Sequence, residues 1–309
     1  MRTVRGLESY RPEAVASAVA LGAFDGIHLG HRAILGTAVA QARQGRLQAV
    51  ACTFDRHPME VLQPGRAPLP ITTLDERLEL IGETGIDTTV VIPFTQSVAA
   101  VEAKTFVQDV LIETLRAREI VVGFNHRFGR GARGDTGLLE SLAGPLGFRA
   151  HIVPALMVDG VTVSSSEIRG ALQRGDLPRA ARLLGRHYSI RGEVVRGAGR
   201  GRTLGFPTAN IAAPAPLLLA DGVYAGRAGW EGHSALAVIN VGVRPTFGEE
   251  TRSIEAHLLD VSADLYGCVL TIAFLARIRA EMRFPSAEAL RTRINEDVTI
   301  ARRLLTQAP

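Results

Sequence analysis

Two histidines near the N-terminus, His28 and His31, lie in a glycine-rich segment with the composition of a phosphate-binding turn. The segment Gly22–His31 reads GAFDGIHLGH and joins an apolar run to a helical pattern. Glycine lets a backbone turn sharply and approach a phosphate closely. A helix N-terminus directs free N–H groups and the positive end of its dipole at an anion. We therefore predict a site for in-line attack at phosphorus, where positioning and charge stabilisation suffice.

Simpler interpretations exist for the two histidines taken alone. They would cap a helix or ligate a metal ion. A metal is disfavoured because no third ligand of a suitable type is evident nearby. Capping alone would not require both histidines and the three glycines of the segment.

A serine-rich segment, Val163–Arg169, reads VSSSEIR and opens a predicted helix. Its hydroxyls, on Ser164, Ser165 and Ser166, suit either a helix cap or a phosphate. Arg169, one turn further on, adds fixed positive charge suited to a leaving pyrophosphate. Alone, this segment reads as a plain serine cap beside a surface arginine, but together with the histidine segment it favours a phosphate site.

A second glycine-rich segment, Gly197–Asn210, reads GAGRGRTLGFPTAN. The chain has no P-loop motif, so a kinase would hold phosphates differently. Glycines and arginines before a strand suit a flexible, positively charged flap over a polyphosphate. Thr208 and Asn210 are two residues apart, which puts their oxygens on one side of an extended segment and suits Mg²⁺. In isolation, the Gly-Arg-Gly-Arg run is more typical of a surface or RNA-binding tail.

The first segments belong to an alternating strand and helix pattern that extends to about Gly185. The apolar, strand-like runs are Ser17–Phe24, Gln48–Phe54, Thr88–Phe94, Glu119–Phe124 and Phe148–Pro154. The helical patterns are His31–Gln44, Thr73 to about Gly85, Val101–Arg118, Asp135–Leu146, Ser165–Arg174 and Leu177–Leu184. Apolar strands separated by helices predict a parallel sheet. Ligands bind at the carboxyl ends of such strands, so the loops after Phe24, Phe54 and Phe124 are the predicted functional loops.

After Arg186 the pattern changes to short β-branched runs separated by Gly, Pro and Asp. These runs are Tyr188–Arg196, Gly222–Ala228, Ala235–Val241, Ile254–Leu259 and Val269–Ile278. They predict an antiparallel barrel or sandwich. Pro285 and Ser286 begin a C-terminal helix with one apolar face formed by Leu290, Ile294, Val298, Ala301 and Leu305. The predicted domains are 1–185 and 186–309.

Length and composition agree with two globular domains. The chain has 309 residues, 46% hydrophobic and 21% charged, which is enough for two cores. The net charge of +4 comes from arginine, since Lys104 is the only lysine. No signal peptide or membrane span is evident, so a cytoplasmic protein is predicted. A nucleic-acid-binding module is disfavoured because aromatics are 5% of the chain and the 196–202 stretch contains none.

The N-terminal half resembles a known family at these segments. The pattern GxFDGxHxGH is similar to the HxGH signature of nucleotidyl transferases, in the form found in the FMN adenylyltransferase module of bifunctional prokaryotic riboflavin kinase/FAD synthetases. Thr53–Pro58 resembles that family's TFxPHP loop, Val122–Gly129 its VGxDFxFG segment, and Val163–Arg169 its ISSTxIR motif. Three residues depart from the pattern. Arg56 replaces a proline, Ser166 replaces a threonine, and His126 replaces an aromatic residue.

The C-terminal half resembles riboflavin kinases. The segment Gly197–Asn210 is similar to the GRxLGFPTAN signature, and further segments of that family follow in order. These are Asp221–Tyr224, Asn240–Phe247, Ile254–Leu258, Asp264–Gly267 and Ile278–Phe284. Glu255 occupies the family's catalytic-base position. At the end of a barrel strand, its carboxylate would accept the proton of the ribityl 5′-hydroxyl as that hydroxyl attacks ATP.

The resemblance and the residue patterns together assign the following roles. In the adenylyltransferase, the catalytic residues are His28 and His31, the ATP and phosphate ligands are Gly22, Phe24, Asp25, Gly26, Gly30, Ser164, Ser165, Ser166 and Arg169, and the flavin ligands are His57, Pro58, Asn125 and Phe128. In the kinase, the base is Glu255, the phosphate ligands are Gly201, Arg202, Gly205 and Pro207, the flavin ligands are Arg279 and Glu281, and the Mg²⁺ ligands are Thr208 and Asn210.

The implied fold is a Rossmann-like α/β nucleotidyl transferase domain followed by an antiparallel β-barrel kinase domain with a C-terminal helix. The implied function is FAD biosynthesis. Riboflavin and ATP give FMN, and then FMN and ATP give FAD and pyrophosphate, with Mg²⁺ accompanying ATP. Neither a nucleic acid nor a membrane is an expected partner, and the sequence makes no prediction of oligomeric state. A chain with one vestigial module is disfavoured because the motifs of both halves are intact.

Overall fold

A computed structural model describes residues 1–12, 15–197, 199–213, 217–246 and 249–306. The chain forms two compact units, Met1–Ser165 and Ser166–Pro309. Two residues of the quoted motifs, Ala198 and Phe247, lie outside the described residues. The predicted boundary after residue 185 stays a prediction.

The first unit contains the predicted parallel sheet. Its strands are β1 (Arg2–Arg5), β2 (Ser17–Leu21), β3 (Gln48–Phe54), β4 (Thr88–Ile92), β5 (Ala117–Gly123) and β6 (Arg149–Val153). Their order across the sheet is β1-β4-β3-β2-β5-β6, with every neighbouring pair parallel. All carboxyl ends therefore meet at one edge, where the predicted loops after β2, β3 and β5 begin.

Helices and short turns connect these strands. The α-helices are α1 (Leu29–Gly45), α2 (Pro58–Leu62), α3 (Leu74–Gly82), α4 (Gln96–Ala99), α5 (Ala103–Thr105) and α6 (Thr136–Leu146). A π-helix, Phe106–Thr114, continues α5, and 3₁₀ turns occupy Leu7–Ser9 and Arg130–Ala132. A small hairpin pairs β7 (Met157–Val158) with β8 (Val161–Thr162).

Alternation along β2 divides the core of this unit into two layers. Val19 and Leu21 pack into a cluster with the π-helix and α6, and Ala18 and Ala20 pack into a cluster with α1 and Ile81 of α3. Side chains of a strand point to opposite faces in turn. All five residues of β2 are buried, as expected of a parallel strand covered on both sides.

The predicted helix Val101–Arg118 is confirmed with narrower bounds. The helical stretch begins at Ala103, becomes π-helical at Phe106 and ends at Thr114. Arg116 then has a φ of 54° and turns the chain into β5. Strand β1 had no predicted counterpart, because its four residues include only one buried position, Val4.

The second unit begins within a helix and consists mainly of a barrel. Helix α7 is Ser165–Arg174 and α8 is Leu177–Leu184, both with the predicted bounds. The barrel strands are β9 (Tyr188–Val195), β10 (Ala209–Ala212), β11 (Gly222–Trp230), β12 (His233–Thr246), β13 (Glu249–Leu258) and β14 (Val269–Arg279). They close in the antiparallel order β10-β13-β12-β11-β14-β9, which confirms a barrel and excludes the sandwich. Strand β10 contains Asn210 of the segment predicted to be extended, and α9 (Arg200–Thr203) adds a short turn before it.

Aromatic rings fill the barrel and an apolar layer covers one side of it. Phe274 packs edge-on against Tyr224, with ring centroids 5.6 Å apart, and stacks with Tyr188 at 6.1 Å. The final helix, α10 (Ala287–Thr306), contributes Val298 and Ala301 to the outer cluster. The Ser286 hydroxyl accepts the N–H of Ala289 at 3.1 Å, which confirms the predicted start of this helix.

Candidate functional site

The loop between β2 and α1 makes an unusually sharp turn. Phe24, Gly26 and Ile27 have φ values of 53°, 84° and 36°. Left-handed backbone in residues other than glycine is strained and persists only where neighbouring structure holds it. Here the Phe24 and Ile27 side chains are fully buried in the core. The turn delivers His28 to the position that caps α1.

The two histidines form one stacked unit at the N-terminus of α1. Their ring centroids are 3.6 Å apart with planes inclined by 17°, and His28 Nδ1 accepts the backbone N–H of His31 at 3.2 Å. Since Nδ1 is an acceptor, the proton of a neutral His28 ring resides on Nε2. A Cβ at Gly30 would lie 3.2 Å from this ring, so the glycine leaves space for the stacked arrangement. The unit places two imidazole rings at the N-terminus of a helix, which suits a phosphate.

Asp25 is engaged within the loop. Its carboxylate accepts the backbone N–H groups of Ile71 at 3.0 Å and Thr72 at 3.2 Å, and Thr72 Oγ1 accepts the N–H of Gly26 at 3.1 Å. These contacts attach the first loop to the segment that precedes α3. The structure thus shows a loop-fixing role for Asp25, and its contact with ATP stays a prediction.

The loop after β3 is fixed against the first loop and then enters α2. The Thr53 hydroxyl donates to the carbonyl of Ala23 at 3.1 Å. His57 caps α2, because its Nδ1 accepts the N–H of Met59 at 3.1 Å, and Pro58 is the first residue of that helix. The predicted flavin ligands His57 and Pro58 therefore lie at the same sheet edge as the histidine pair.

Arg56, the first departure from the family pattern, forms a pair with Asp55. The guanidinium donates two hydrogen bonds to one carboxylate oxygen, at 3.1 and 2.9 Å, and Asp55 also accepts the N–H of Phe94 at 2.8 Å. Burial alone would raise the pKa of Asp55, but these hydrogen bonds outweigh it and hold the pKa below its usual value. The loop keeps a defined conformation without the family's proline.

The loop after β5 carries the second departure, His126. Its ring stacks on Phe128 at a centroid distance of 5.8 Å, and Phe128 packs against Phe106 at 6.3 Å. Burial lowers the pKa of His126 from 6.5 to about 4, so the ring is neutral at pH 7 and serves as an aromatic packing group. Of the two predicted flavin ligands here, Asn125 is exposed and Phe128 is buried.

The serine segment is divided between the two units. In the first unit, the Ser165 hydroxyl donates to the carbonyl of Asp25 at 3.0 Å, which attaches this segment to the histidine loop. Ser166, the third departure, and Arg169 lie on α7 in the second unit. Their contact with phosphates stays a prediction.

In the second unit, glycines of the flap pack directly on the predicted metal ligands. A Cβ at Gly197 would collide with the side chain of Asn210, and one at Gly201 would collide with the Phe206 carbonyl and meet Thr208 Oγ1 at 3.1 Å. Only glycine permits this approach. Uncharged hydroxyl and amide oxygens beneath a phosphate flap fit Mg²⁺ bound with ATP, which supplies the remaining oxygens with water.

A cavity of about 580 Å³ opens beside these residues. Its lining includes Arg202, Pro207 and Thr208 of the predicted phosphate and metal set, together with Tyr266 and Arg196. The Arg196 guanidinium lies 5.7 Å from the centre of the Tyr266 ring. Cationic, hydroxyl and aromatic groups around one cavity suit a nucleotide with its phosphates.

Glu255 lies in a row of polar residues across three neighbouring strands. It pairs in register with Asn210 of β10 on one side and Asn240 of β12 on the other. Residues paired in this way project to the same face of a sheet. Asn240 had no predicted role in the site, and the strand register identifies it as a neighbour of Glu255. Two residues beyond Glu255, His257 Nδ1 donates to the carbonyl of Pro207 at 2.8 Å.

Both predicted flavin ligands of the second unit make contacts with other residues of the protein. Arg279 donates to the buried carboxylate of Asp297 on α10 at 3.0 and 2.8 Å, and its guanidinium lies 5.6 Å from the Phe284 ring centre. The Glu281 carboxylate packs on Gly242, where a Cβ would lie 2.5 Å from Oε1. Flavin contact by Arg279 and Glu281 stays a prediction.

The described residues contain no cluster of three or more His, Cys, Asp or Glu side chains able to hold a metal ion. In the same ranges, every helix is too short or too polar to cross a membrane.

Comparisons with known proteins agree with the two units. Residues 11–167 match the family model of FAD synthetase, and residues 184–305 match that of riboflavin kinase. The chain is 36% identical to the bifunctional riboflavin kinase/FMN adenylyltransferase of Escherichia coli K12 over 98% of this chain and 97% of that protein. It is also 36% identical to the enzyme with the same name from Bacillus subtilis 168, over 93% and 92% of the two chains.

Among solved structures, the chain is similar to one described as a macrolide-efflux protein from Streptococcus pneumoniae. The two are 30% identical with a TM-score of 0.90, over 98% of this chain and 99% of the other. Fold and site define a transferase with two catalytic domains, one a nucleotidyltransferase and the other a kinase. The chain belongs to the bifunctional riboflavin kinase/FMN adenylyltransferase family.

The burial of His126 generates a prediction about stability and pH. The folded-state pKa of about 4 lies below the ordinary value of 6.5, so between these values the unfolded chain binds the extra proton. The free energy of unfolding therefore has its full value above pH 6.5 and decreases as the pH is lowered from 6.5 towards 4. At pH 5, His126→Phe should stabilise the N-terminal unit by about 1–2 kcal/mol more than at pH 7.5.

Pulse proteolysis in urea at the two pH values measures this difference. Fluorescence of Trp230, the only tryptophan of the chain, reports the unfolding of the barrel separately. The substitution should not change the urea midpoint of that signal. An equal effect of the substitution at both pH values would contradict the lowered pKa of His126.

Proposed function

We propose that this chain makes FAD in two steps at two sites. The second unit transfers the γ-phosphoryl group of ATP to riboflavin, and the first transfers AMP from a second ATP to the resulting FMN. The strongest support is the arrangement of the predicted catalytic residues in each unit. His28 and His31 stack at the N-terminus of α1, and Glu255 lies in register between Asn210 and Asn240.

In the adenylyl transfer, a phosphate oxygen of FMN attacks the α-phosphorus of ATP. The bond from that phosphorus to the bridging oxygen breaks, and pyrophosphate leaves. We assign His28 and His31, with the helix N–H groups, to hold the phosphates and stabilise the charge of the transition state. Ser166 and Arg169 are assigned to the leaving pyrophosphate, and His57 and Asn125 to the flavin.

In the kinase reaction, the ribityl 5′-hydroxyl attacks the γ-phosphorus of ATP and ADP leaves. We assign Glu255 to accept the hydroxyl proton. The flap around Gly201 and Arg202 covers the phosphates. Mg²⁺ held by Thr208 and Asn210 would neutralise charge on the phosphate oxygens when bound. A requirement for ATP in both reactions supports the predicted cytoplasmic location.

The first prediction concerns the reactions and the domain boundary. With riboflavin, ATP and Mg²⁺, the full chain should produce FMN and then FAD, resolved by chromatography. Fragments 166–309 and 186–309 should produce FMN alone, and the longer should be more stable because α8 buries Leu177, Ala180, Leu183 and Leu184. A full chain that makes no FAD would refute the proposal, and two folded but inactive fragments would show that the kinase requires the first unit.

The second prediction concerns the histidine pair. His28→Ala and His31→Ala should each lower the rate of FAD formation on the order of 10²–10³-fold, because each removes a preorganised donor to the transition state. FMN formation, measured on the same preparation, should persist. The matched control is His187→Ala, which changes an exposed histidine outside both sites. Equal loss of both activities with an unchanged circular dichroism spectrum would mean that the site is misassigned.

The third prediction concerns Glu255. Glu255→Gln keeps the shape and hydrogen bonding of the side chain but cannot accept the proton, so riboflavin phosphorylation should fall roughly 10²–10⁴-fold. Externally supplied FMN should still become FAD. Glu193→Gln, on the exposed side of β9, provides the control within the same barrel. A kinase rate for Glu255→Gln within a few-fold of the wild-type rate would rule out the base.

A further inference from the structure

A buried arginine of α3, Arg77, connects the first two loops of the adenylyltransferase site. Its guanidinium donates to the carbonyl of Ala23 at 2.7 Å, of Phe54 at 2.9 Å and of Asp55 at 3.4 Å. Ala23 belongs to the loop that leads to His28 and His31, Phe54 is the last residue of β3, and Asp55 begins the loop that carries His57. One side chain therefore joins two segments that are about thirty residues apart in the sequence and lie side by side at the sheet edge.

Burying the charged side chain of Arg77 costs free energy, so the contacts that offset this cost indicate what the residue does. Arg77 is 6% exposed, and removing a guanidinium from water is unfavourable unless its donors are satisfied. No carboxylate forms an ion pair with it in the described part of the chain, and its Nε is buried without a hydrogen-bond partner there. The carbonyls of the two loops are its hydrogen-bond partners, and the carboxylates of Asp25, Asp55 and Glu60 attract its charge without pairing with it. An arginine needed only to cover apolar surface would keep its charged head in water.

The helix that carries Arg77 is itself attached to the first loop. Thr73 and Glu76 form a capping box that begins α3, and the preceding residues Ile71 and Thr72 donate their N–H groups to Asp25. The first loop therefore holds α3 through Asp25, and α3 holds both loops through Arg77. Each contact limits the movement that the others would permit.

We propose that Arg77 is a positioning residue for adenylyl transfer, which sets the distance between the histidine pair and the flavin loop through its bonds to Ala23, Phe54 and Asp55. This inference rests on the proposed function of the first site. Attack at phosphorus requires the two substrates in near-attack geometry, and a misplacement of about 1 Å can cost on the order of 10²-fold in rate. Arg77 contributes no group to the reacting atoms.

The test compares Arg77→Met with Arg77→Lys in the full chain. Methionine keeps an unbranched apolar stem but donates no hydrogen bond, so kcat for FAD formation from FMN should fall about 10–100-fold. Lysine keeps the charge and part of the hydrogen bonding, so it should restore much of the lost kcat. The kinase rate on the same preparation should equal that of the wild type.

The matched control is Arg5→Met. Arg5 pairs with Asp75 of the same helix at 3.3 Å, but both side chains are largely exposed, at 60% and 82%, and such pairs contribute little. This variant should keep wild-type kcat for FAD formation. A lower urea midpoint for Arg77→Met with unchanged kcat would show a purely structural role and overturn the proposal, as would a lysine variant no better than the methionine variant.

A second variant decides the matter if Arg77→Met fails to fold. Thr53→Val removes only the hydroxyl that donates to Ala23 from the neighbouring loop, and kcat should fall about 5-fold, as expected for the loss of one hydrogen bond between the same two loops. Wild-type kcat in a folded Thr53→Val chain would then overturn the proposal. A wild-type protein that makes no FAD would instead refute the proposed function itself.

Discussion

Buried backbone groups at the carboxyl edge of the parallel sheet need hydrogen-bond partners after the strand ladder ends. A buried N–H or C=O without a partner is unfavourable, and side chains supply the partners here. Asp25 accepts the N–H groups before α3, while Thr53, Arg77 and Ser165 donate to carbonyls of the first two loops. The strained turn that places His28 beside His31 is held by the same contacts, so the predicted phosphate site depends on them.

The second unit meets the same requirement in another way. A closed barrel has no unpaired edge strand, so its polar site is built from the outer face of paired strands and a flap. The register of β10, β13 and β12 places Asn210, Glu255 and Asn240 in one row. Glycines at positions 197 and 201 allow the flap to pack on Asn210 and Thr208. Each unit therefore positions its site with contacts of its own.

The departures from the family pattern are accommodated locally. Arg56 pairs with the adjacent Asp55, and this contact fixes the loop in which relatives have a proline. His126 is half-buried as a neutral ring stacked on Phe128, so it packs as an aromatic residue does.

The amino-acid sequence by itself determined the two-part organisation, the parallel sheet, and the helices whose patterns are strong, such as α7 and α8. These follow from periodicity and capping, which are local properties. The sequence did not indicate the π-helical stretch at Phe106, the neighbours of Glu255, or the contact of the Arg279 guanidinium with Asp297. The flavin contact of Arg279 stays a prediction. Only the tertiary structure decided these points, because the partner of a buried charge or of a short strand is set by residues distant in the chain. Arg77 is the clearest case, since a lone arginine in a helix has no local signal for the two loops that it joins.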